Sequence, residues 1–191
     1  MHPVVSYYIN QIQSLTHLEE WEVELIIANT STRSISKNTI LKQEGSEVKE
    51  LYFIYKGCLR TYYLDKKGNE CTSTIAFENA YCWAINFLKD FPLHEYIEAL
   101  ADSEFLVFTK EKFYYLVNAC PGFRTVYLIS LEKVAIKYAA RVETLITLDA
   151  KERYNNLLQT RPEIVLNLSN KVVASFLGIT EQSLSRLKAQ L

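Results

Sequence analysis

The period of apolar and polar positions changes twice along the chain. Trp21, Leu25 and Ile26, with Ile27 and Ala28 beside them, recur at helical spacing and predict a helix over Leu18–Asn29, with Thr16 as its cap and Glu19 three residues on. From Thr30 to about Phe77 the chain reads instead in short, alternating runs rich in β-branched and aromatic residues. Strands are predicted at Leu51–Tyr55, Leu59–Leu64, Glu70–Phe77, Tyr96–Leu100 and Glu104–Thr109. Turn signals separate them at Ser36–Asn38, Glu44–Ser46, Lys56–Gly57 and the hairpin loop Asp65–Asn69. Many short strands so spaced predict a β-sandwich or barrel.

Beyond Pro121 the period returns to that of a helix. Gly122 to Leu148 contains no Pro and no further Gly, and reads as one long helix. Leu128, Leu131, Ala135, Tyr138, Val142 and Leu145 step by 3, 4, 3, 4 and 3, a seam suited to pairing with a second copy of the same helix. Charges flank it at Glu132, Lys133, Lys137, Arg141 and Glu143; packing of the helix on the β domain is the competing reading. A shorter helix is predicted over Ala150–Gln159, ended by Arg161-Pro162.

The last stretch, LSNKVVASFLGITEQSLSRLKAQL, carries helix-turn-helix spacing. Ala174 allows close helix approach, Gly178 supplies the turn, and Leu184 with Leu187 buries the second helix against Val173 and Leu177. Thr180 is placed to cap that helix, which leaves Glu181, Gln182, Ser183, Ser185, Arg186 and Lys188 on a polar face. Such faces meet base edges: Arg186 suits guanine, Gln182 adenine, and Glu181 can accept from cytosine. Ser169, Asn170, Lys171 and Thr180 suit phosphates. A solvated amphipathic helix pair is the alternative reading of the same spacing.

Charge supports the DNA reading modestly. Pro121–Leu191 holds 10 Lys/Arg against 6 Asp/Glu, a net of +4, while Met1–Cys120 holds 11 against 16, a net of −5. The 191 residues are 49% hydrophobic and 23% charged, an ordinary globular composition. No apolar run of about 18 residues occurs and the start lacks a leader pattern, so a cytoplasmic protein with no membrane partner is expected. Cys58, Cys71, Cys82 and Cys120 are separated by 13, 11 and 38 residues, which is no metal-ligand spacing. They read as small hydrophobes, with a redox-sensing thiol as the alternative. No metal and no cofactor are expected. Neither a nucleophile elbow nor a phosphate loop nor His-Glu-x-x-His is present, so an enzyme is not expected.

The order of these elements resembles that of the Crp/Fnr family of bacterial transcription regulators. ISKNTILKQEGSEVKELYFIYKGCLRTYYLDKKGNE (Ile35–Glu70) is similar to the family's first β-roll hairpins, NKVVASFLGITEQSLSRLKAQL to its DNA-reading unit, and LDAKERYNNLLQTRP to the connector between them. The resemblance implies an α+β fold: a double-stranded β-helix, or jelly-roll-like β-roll, over residues 1–120, a long dimerisation helix over 121–148, and a small helix-turn-helix unit over 149–191. It implies a homodimer on double-stranded DNA, with RNA polymerase and a small-molecule effector as candidate partners.

Two departures stand out. Family members that bind cyclic AMP hold its phosphate with a Gly-Glu pair and an Arg about ten residues on. The corresponding stretch, Ala80 to Leu100, has neither Gly nor Arg, and His94 and Glu95 lie near its end. A cyclic phosphate would there meet a carboxylate, so cyclic AMP is not the expected effector. The iron–sulfur members' N-terminal cysteine cluster is also missing. Between Pro162 and Ser169 only EIVLNL remains, too short for the β-hairpin wing often seen in the family, and the chain stops just after the recognition helix. Candidate effector-pocket residues are Arg60, Tyr62, Thr72, Thr74, Trp83, Tyr127 and Leu131, with Arg60 either solvated or awaiting an anion. A ligand there would act by reorienting the DNA units about the connector Leu148–Thr160. The reading of a different class is a ligand-binding or protein-interaction module with a degenerate cyclic-nucleotide-binding fold and no DNA binding.

Overall fold

A computed structural model describes residues 2–46, 49–88 and 94–189. The chain forms two compact units, one of Met1–Thr61 and Ala76–Glu132, the other of Tyr62–Ile75 and Lys133–Leu191.

The first unit begins with a helix that the sequence reading did not place, α1 (Pro3–Gln13). Pro3 occupies its first turn, where no N–H is needed, and His2 Nδ1 accepts from the Val4 N–H at 3.3 Å. Val4, Val5, Tyr8, Ile9 and Ile12 form its buried stripe. Helix α2 (Glu20–Ala28) starts two residues later than expected, because its cap is Glu19 and not Thr16. The Glu22 carboxylate reaches back to the Glu19 N–H at 3.1 Å, so the capping box is shifted by one turn.

Among the described residues eight strands follow: β1 (Ser31–Ile35), β2 (Ile40–Lys42), β3 (Glu50–Lys56), β4 (Leu59–Leu64), β5 (Glu70–Ala76), β6 (Tyr81–Trp83), β7 (Glu95–Ala99) and β8 (Ser103–Thr109). They form two four-stranded sheets, ordered β1-β8-β3-β6 and β2-β7-β4-β5. Pairing of β1 and β3 with β8 is antiparallel, as is that of β2 with β7. The expected β-sandwich is present. Strict alternation is not, and the reason is burial on both faces of the first sheet. Leu51, Phe53, Leu106 and Phe108 pack with α1, α2 and the helices after β8, while Tyr52, Ile54, Phe105 and Val107 pack with Leu59, Ile97 and Ala99 of the second sheet. A strand covered on both sides has no polar face to show, which is why β3 and β8 read as continuous apolar runs.

A second helix absent from the sequence reading, α3 (Lys110–Ala119), follows β8 directly. Thr109 accepts from the Lys112 N–H, and Phe113, Leu116 and Val117 turn inward. The long helix is α4 (Pro121–Thr147), within a residue of its expected bounds. Its start is tied to α2 by one buried carboxylate: Glu22, 3% exposed, accepts from the Gly122 N–H at 2.8 Å. Gly122 is needed there for space, since a Cβ would lie 2.5 Å from Leu18 Cδ2 and 2.8 Å from the His17 carbonyl.

The second unit holds the hairpin of β4 and β5, the rest of α4, and four short helices: α5 (Ala150–Thr160), α6 (Pro162–Asn167), α7 (Asn170–Leu177) and α8 (Glu181–Lys188). The EIVLNL stretch is the helix α6 and forms no β-hairpin. Asp149 caps α5 through the N–H groups of Lys151 and Glu152 at 2.8 and 2.9 Å.

Replacing Glu22 with Ala leaves the Gly122 N–H buried without its acceptor. We expect a loss of about 1–3 kcal/mol, read as a lower urea midpoint at unchanged slope. Gly122→Ala should destabilise by a comparable amount through the clash with Leu18 and His17. An unchanged midpoint in both variants would remove this tie from the account.

Candidate nucleic-acid interface and sensor cavity

Helices α7 and α8 form the helix-turn-helix. Ser169 caps α7, whose buried side is Val172, Val173, Ala174, Phe176 and Leu177. Gly178 sits at φ 70° and ψ 35°, a left-handed conformation that a side chain resists. Its N–H donates to the Ser175 carbonyl at 3.2 Å, and the Ile179 N–H donates to that of Ala174 at 3.0 Å, the two bonds of a Schellman end. Thr180 then caps α8 by accepting from the Ser183 N–H at 3.1 Å, and Leu184 is fully buried.

Two carbonyls at the end of α7 remain after the Schellman bonds, and both are met by arginines from other helices. Arg141 of α4 donates to the Phe176 carbonyl, with its guanidinium stacked 4.0 Å from the centre of the Phe176 ring. Arg153 of α5 donates through Nε to the Leu177 carbonyl at 3.1 Å and through Nη1 to that of Leu148 at 2.7 Å. These cations at a helix C-terminus satisfy its orphan acceptors and complement its dipole. The sequence reading placed Arg141 among the charges beside the α4 seam; here it faces α7.

The ten residues assigned to DNA fall into two sets. Glu181, Gln182, Ser185 and Arg186 are exposed on α8, with Gln182 and Arg186 one turn apart on a common face. The others already hold partners within the unit. Ser169 and Thr180 serve as caps, and Ser183 lies beside the Thr180 hydroxyl at 2.9 Å. Lys188 donates to Asn170 Oδ1 at 2.6 Å, tying the two helices, and Lys171 pairs with Glu70 of the hairpin at 2.5 Å. Beside that ion pair, the Ser175 hydroxyl accepts from the Thr72 N–H at 2.8 Å and donates to the Glu70 carbonyl at 2.8 Å. The β4–β5 hairpin thus grips α7, leaving the exposed face of α8 to other contacts.

The residues assigned to an effector pocket are not gathered at one place. Trp83, Tyr127 and Leu131 line one small apolar cavity of the first unit together with Leu51, Tyr81 and Phe113. Its volume is about 20 Å³, room for little more than a single water. Arg60 is neither solvated nor awaiting an anion: it is 3% exposed and donates to Glu98 Oε2 through Nε at 2.8 Å and Nη2 at 2.5 Å. Tyr62 is buried, and Thr72 is engaged by Ser175. Thr74 borders a separate cavity of about 50 Å³ with Lys137, Tyr138, Arg141 and Arg161. The sequence reading missed Leu51, Tyr81 and Phe113, whose inward direction depends on the two-sided burial of the first sheet.

Where a phosphate cassette would lie, the chain supplies its own anion. Glu95, 3% exposed, accepts from the Ile85 N–H at 2.8 Å, and Lys42 Nζ donates to the Glu95 carbonyl at 3.2 Å. Lys89–Leu93 of the Ala80–Leu100 stretch lie outside the described residues. Cys58, Cys82 and Cys120 are buried and Cys71 is exposed; burial pushes the Cys82 and Cys120 thiols up, aided by Glu95 and Glu22 respectively. Among the described residues no three His, Cys, Asp or Glu side chains gather as a metal site, and no helix is long and apolar enough to cross a membrane.

Residues 32–120 match the family of cyclic nucleotide-binding domains. No curated protein sequence matches the chain. Solved structures do. A proposed transcriptional regulator of the crp/fnr family from Eubacterium rectale is 19% identical with a TM-score of 0.70, over 89% of this chain and 82% of that one. A CooA mutant from Carboxydothermus hydrogenoformans is 21% identical with a TM-score of 0.70, over 93% and 82%. The c-di-GMP responsive global regulator CLP from Xanthomonas campestris is 15% identical with a TM-score of 0.70, over 90% and 91%. Residues 32–120 are thus similar to cyclic nucleotide-binding domains, and the chain shares the fold of Crp/Fnr regulator structures.

Proposed function

We propose that this chain is a sequence-specific, DNA-binding transcription regulator of the Crp/Fnr type that works as a homodimer, with an effector other than cyclic AMP. The observation that carries the reading is the geometry of α8. Thr180 caps the helix, Leu184 anchors its inner side, and Gln182 and Arg186 stand exposed one turn apart at its outer side. In the major groove those two side chains suit adenine and guanine edges, each good bidentate pair supplying about 1–3 kcal/mol of discrimination. Lys171 can neutralise a phosphate only by leaving Glu70, so its contribution to affinity is an exchange of partners.

Dimerisation is supported by what α4 leaves uncovered. Leu128, Tyr138, Val142 and Leu145 are 52%, 46%, 52% and 44% exposed, at the spacing of a helix–helix seam. Ala135 is exposed beside them, while Leu131 is half-buried at the small apolar cavity. A stripe of large apolar side chains on a 27-residue helix is costly in water and is relieved by a second copy. The exclusion of cyclic AMP is supported by Glu95, whose carboxylate already takes the Ile85 N–H, and by Arg60, whose charge is spent on Glu98. The similar regulator from Xanthomonas campestris is described as responsive to c-di-GMP, so the fold does not prescribe one nucleotide.

Gln182→Ala with Arg186→Ala should abolish preference for a selected duplex over a scrambled one in fluorescence anisotropy, while sedimentation still reports a dimer. Retained preference would remove α8 as the reading helix. Val142→Glu with Leu145→Glu should sediment as a folded monomer and lose operator affinity; an unaltered dimer would place the interface elsewhere. Cyclic AMP should leave the melting temperature unchanged, and a concentration-dependent rise would overturn the effector assignment.

A further inference from the structure

A second cavity of the second unit lies among α4, α5 and α7, and its walls carry four cations: Lys137 and Arg141 of α4, Arg153 of α5, and Arg161 at the junction of α5 and α6. Its volume is about 170 Å³, more than ten times the roughly 10–15 Å³ that one water needs. Among the described residues no carboxylate lines it. Asn156 and Thr160 add neutral polar groups, and Leu157 an apolar wall. We propose that this cavity binds a small, multiply charged anion of the phosphate class.

The helix-end bonds explain part of this cluster and leave the rest unexplained. Arg141 and Arg153 are fixed by the carbonyls of Phe176, Leu177 and Leu148, which hold both guanidiniums in place before any ligand arrives. Each guanidinium has five N–H donors, and those bonds use one of Arg141 and two of Arg153. Lys137 makes no hydrogen bond among the described residues, and Arg161 is shared between Glu163 at 3.2 Å and the Ile75 carbonyl at 3.2 Å. Concentrating like charge here is unfavourable. Burial, then Arg153, pull Arg141 down to about 10, and desolvation, then Arg161, lower Lys137, with Glu163 the one opposing carboxylate. An anion in the cavity relieves that repulsion and gains charge-assisted bonds from groups already oriented. It also joins α4, α5 and α7, so its binding favours whichever arrangement of the connector brings these cations together. None of this depends on α8 reading DNA.

The test is calorimetric titration of the full chain with inorganic pyrophosphate, without DNA and at constant ionic strength. Saturable binding at one site per chain is expected. Lys137→Gln should weaken it roughly tenfold, the scale of one lost charge-assisted bond. Glu163→Gln should tighten it by removing the carboxylate that competes with the anion for Arg161. Because Lys137 makes no hydrogen bond among the described residues, Lys137→Gln should keep the melting temperature of the ligand-free protein, so weaker binding would report the site and not misfolding. A parallel titration with adenosine diphosphate separates a phosphate-only site, which gives equal affinity, from a phosphorylated organic ligand, which gains from the Leu157 wall; either supports the anion site. Absence of saturation, or equal affinity in wild type and Lys137→Gln, overturns the proposal. So does weaker DNA binding by Lys137→Gln with no pyrophosphate binding, which would assign the cations to the DNA backbone.

Discussion

The end of α7 is where the second unit is held together. A helix leaves four carbonyls unpaired, and here each has a named donor. Ala174 and Ser175 are met by the turn itself, through the N–H groups of Ile179 and Gly178. Phe176 and Leu177 are met by Arg141 and Arg153, from the long helix and the connector helix. The first pair makes the turn; the second makes the turn's position relative to α4 and α5 a matter of charge-assisted bonds. The exposed face of α8 inherits its placement from that junction, because Leu184 and the Lys188–Asn170 bond fix α8 on α7. The hairpin adds a further hold through Glu70, Thr72 and Ser175.

The first unit is held differently. Its central sheet is buried on both faces, so most of its stability is apolar, and its buried charges are few and paired. Arg60 is paired with Glu98, and Glu95 accepts from the Ile85 N–H. Breaking the Arg60–Glu98 pair would leave an uncompensated buried charge. The cavity among Trp83, Tyr127 and Leu131 is nearly filled.

Local chemistry was legible in the sequence and long-range pairing was not. Ala174, Gly178, Thr180 and Leu184 announce the helix-turn-helix because a turn's needs are met within a few residues. The long helix was legible to within a residue because Pro121 opens it and nothing interrupts it. Helix α1 was missed although Val4, Tyr8, Ile9 and Ile12 have helical period; their β-branched and aromatic types conceal it, and the sheet beneath overrides propensity. Helix α3 was missed because it follows β8 with no intervening turn. Arg60 was misread because its partner is 38 residues away on another strand. Arg141 was read as flanking charge, and Arg153 was not singled out, because their acceptors are backbone carbonyls, which leave no mark in a sequence.

The central claim is that a pair of these chains reads DNA through α8. Selection of bound duplexes from a random library by the full-length protein, at low and moderate salt, tests it most directly. The account predicts enrichment of a palindrome with half-sites about one helical turn apart, roughly 34–36 Å, and affinity that falls as salt rises. Recovery of no enriched sequence at low salt would contradict it.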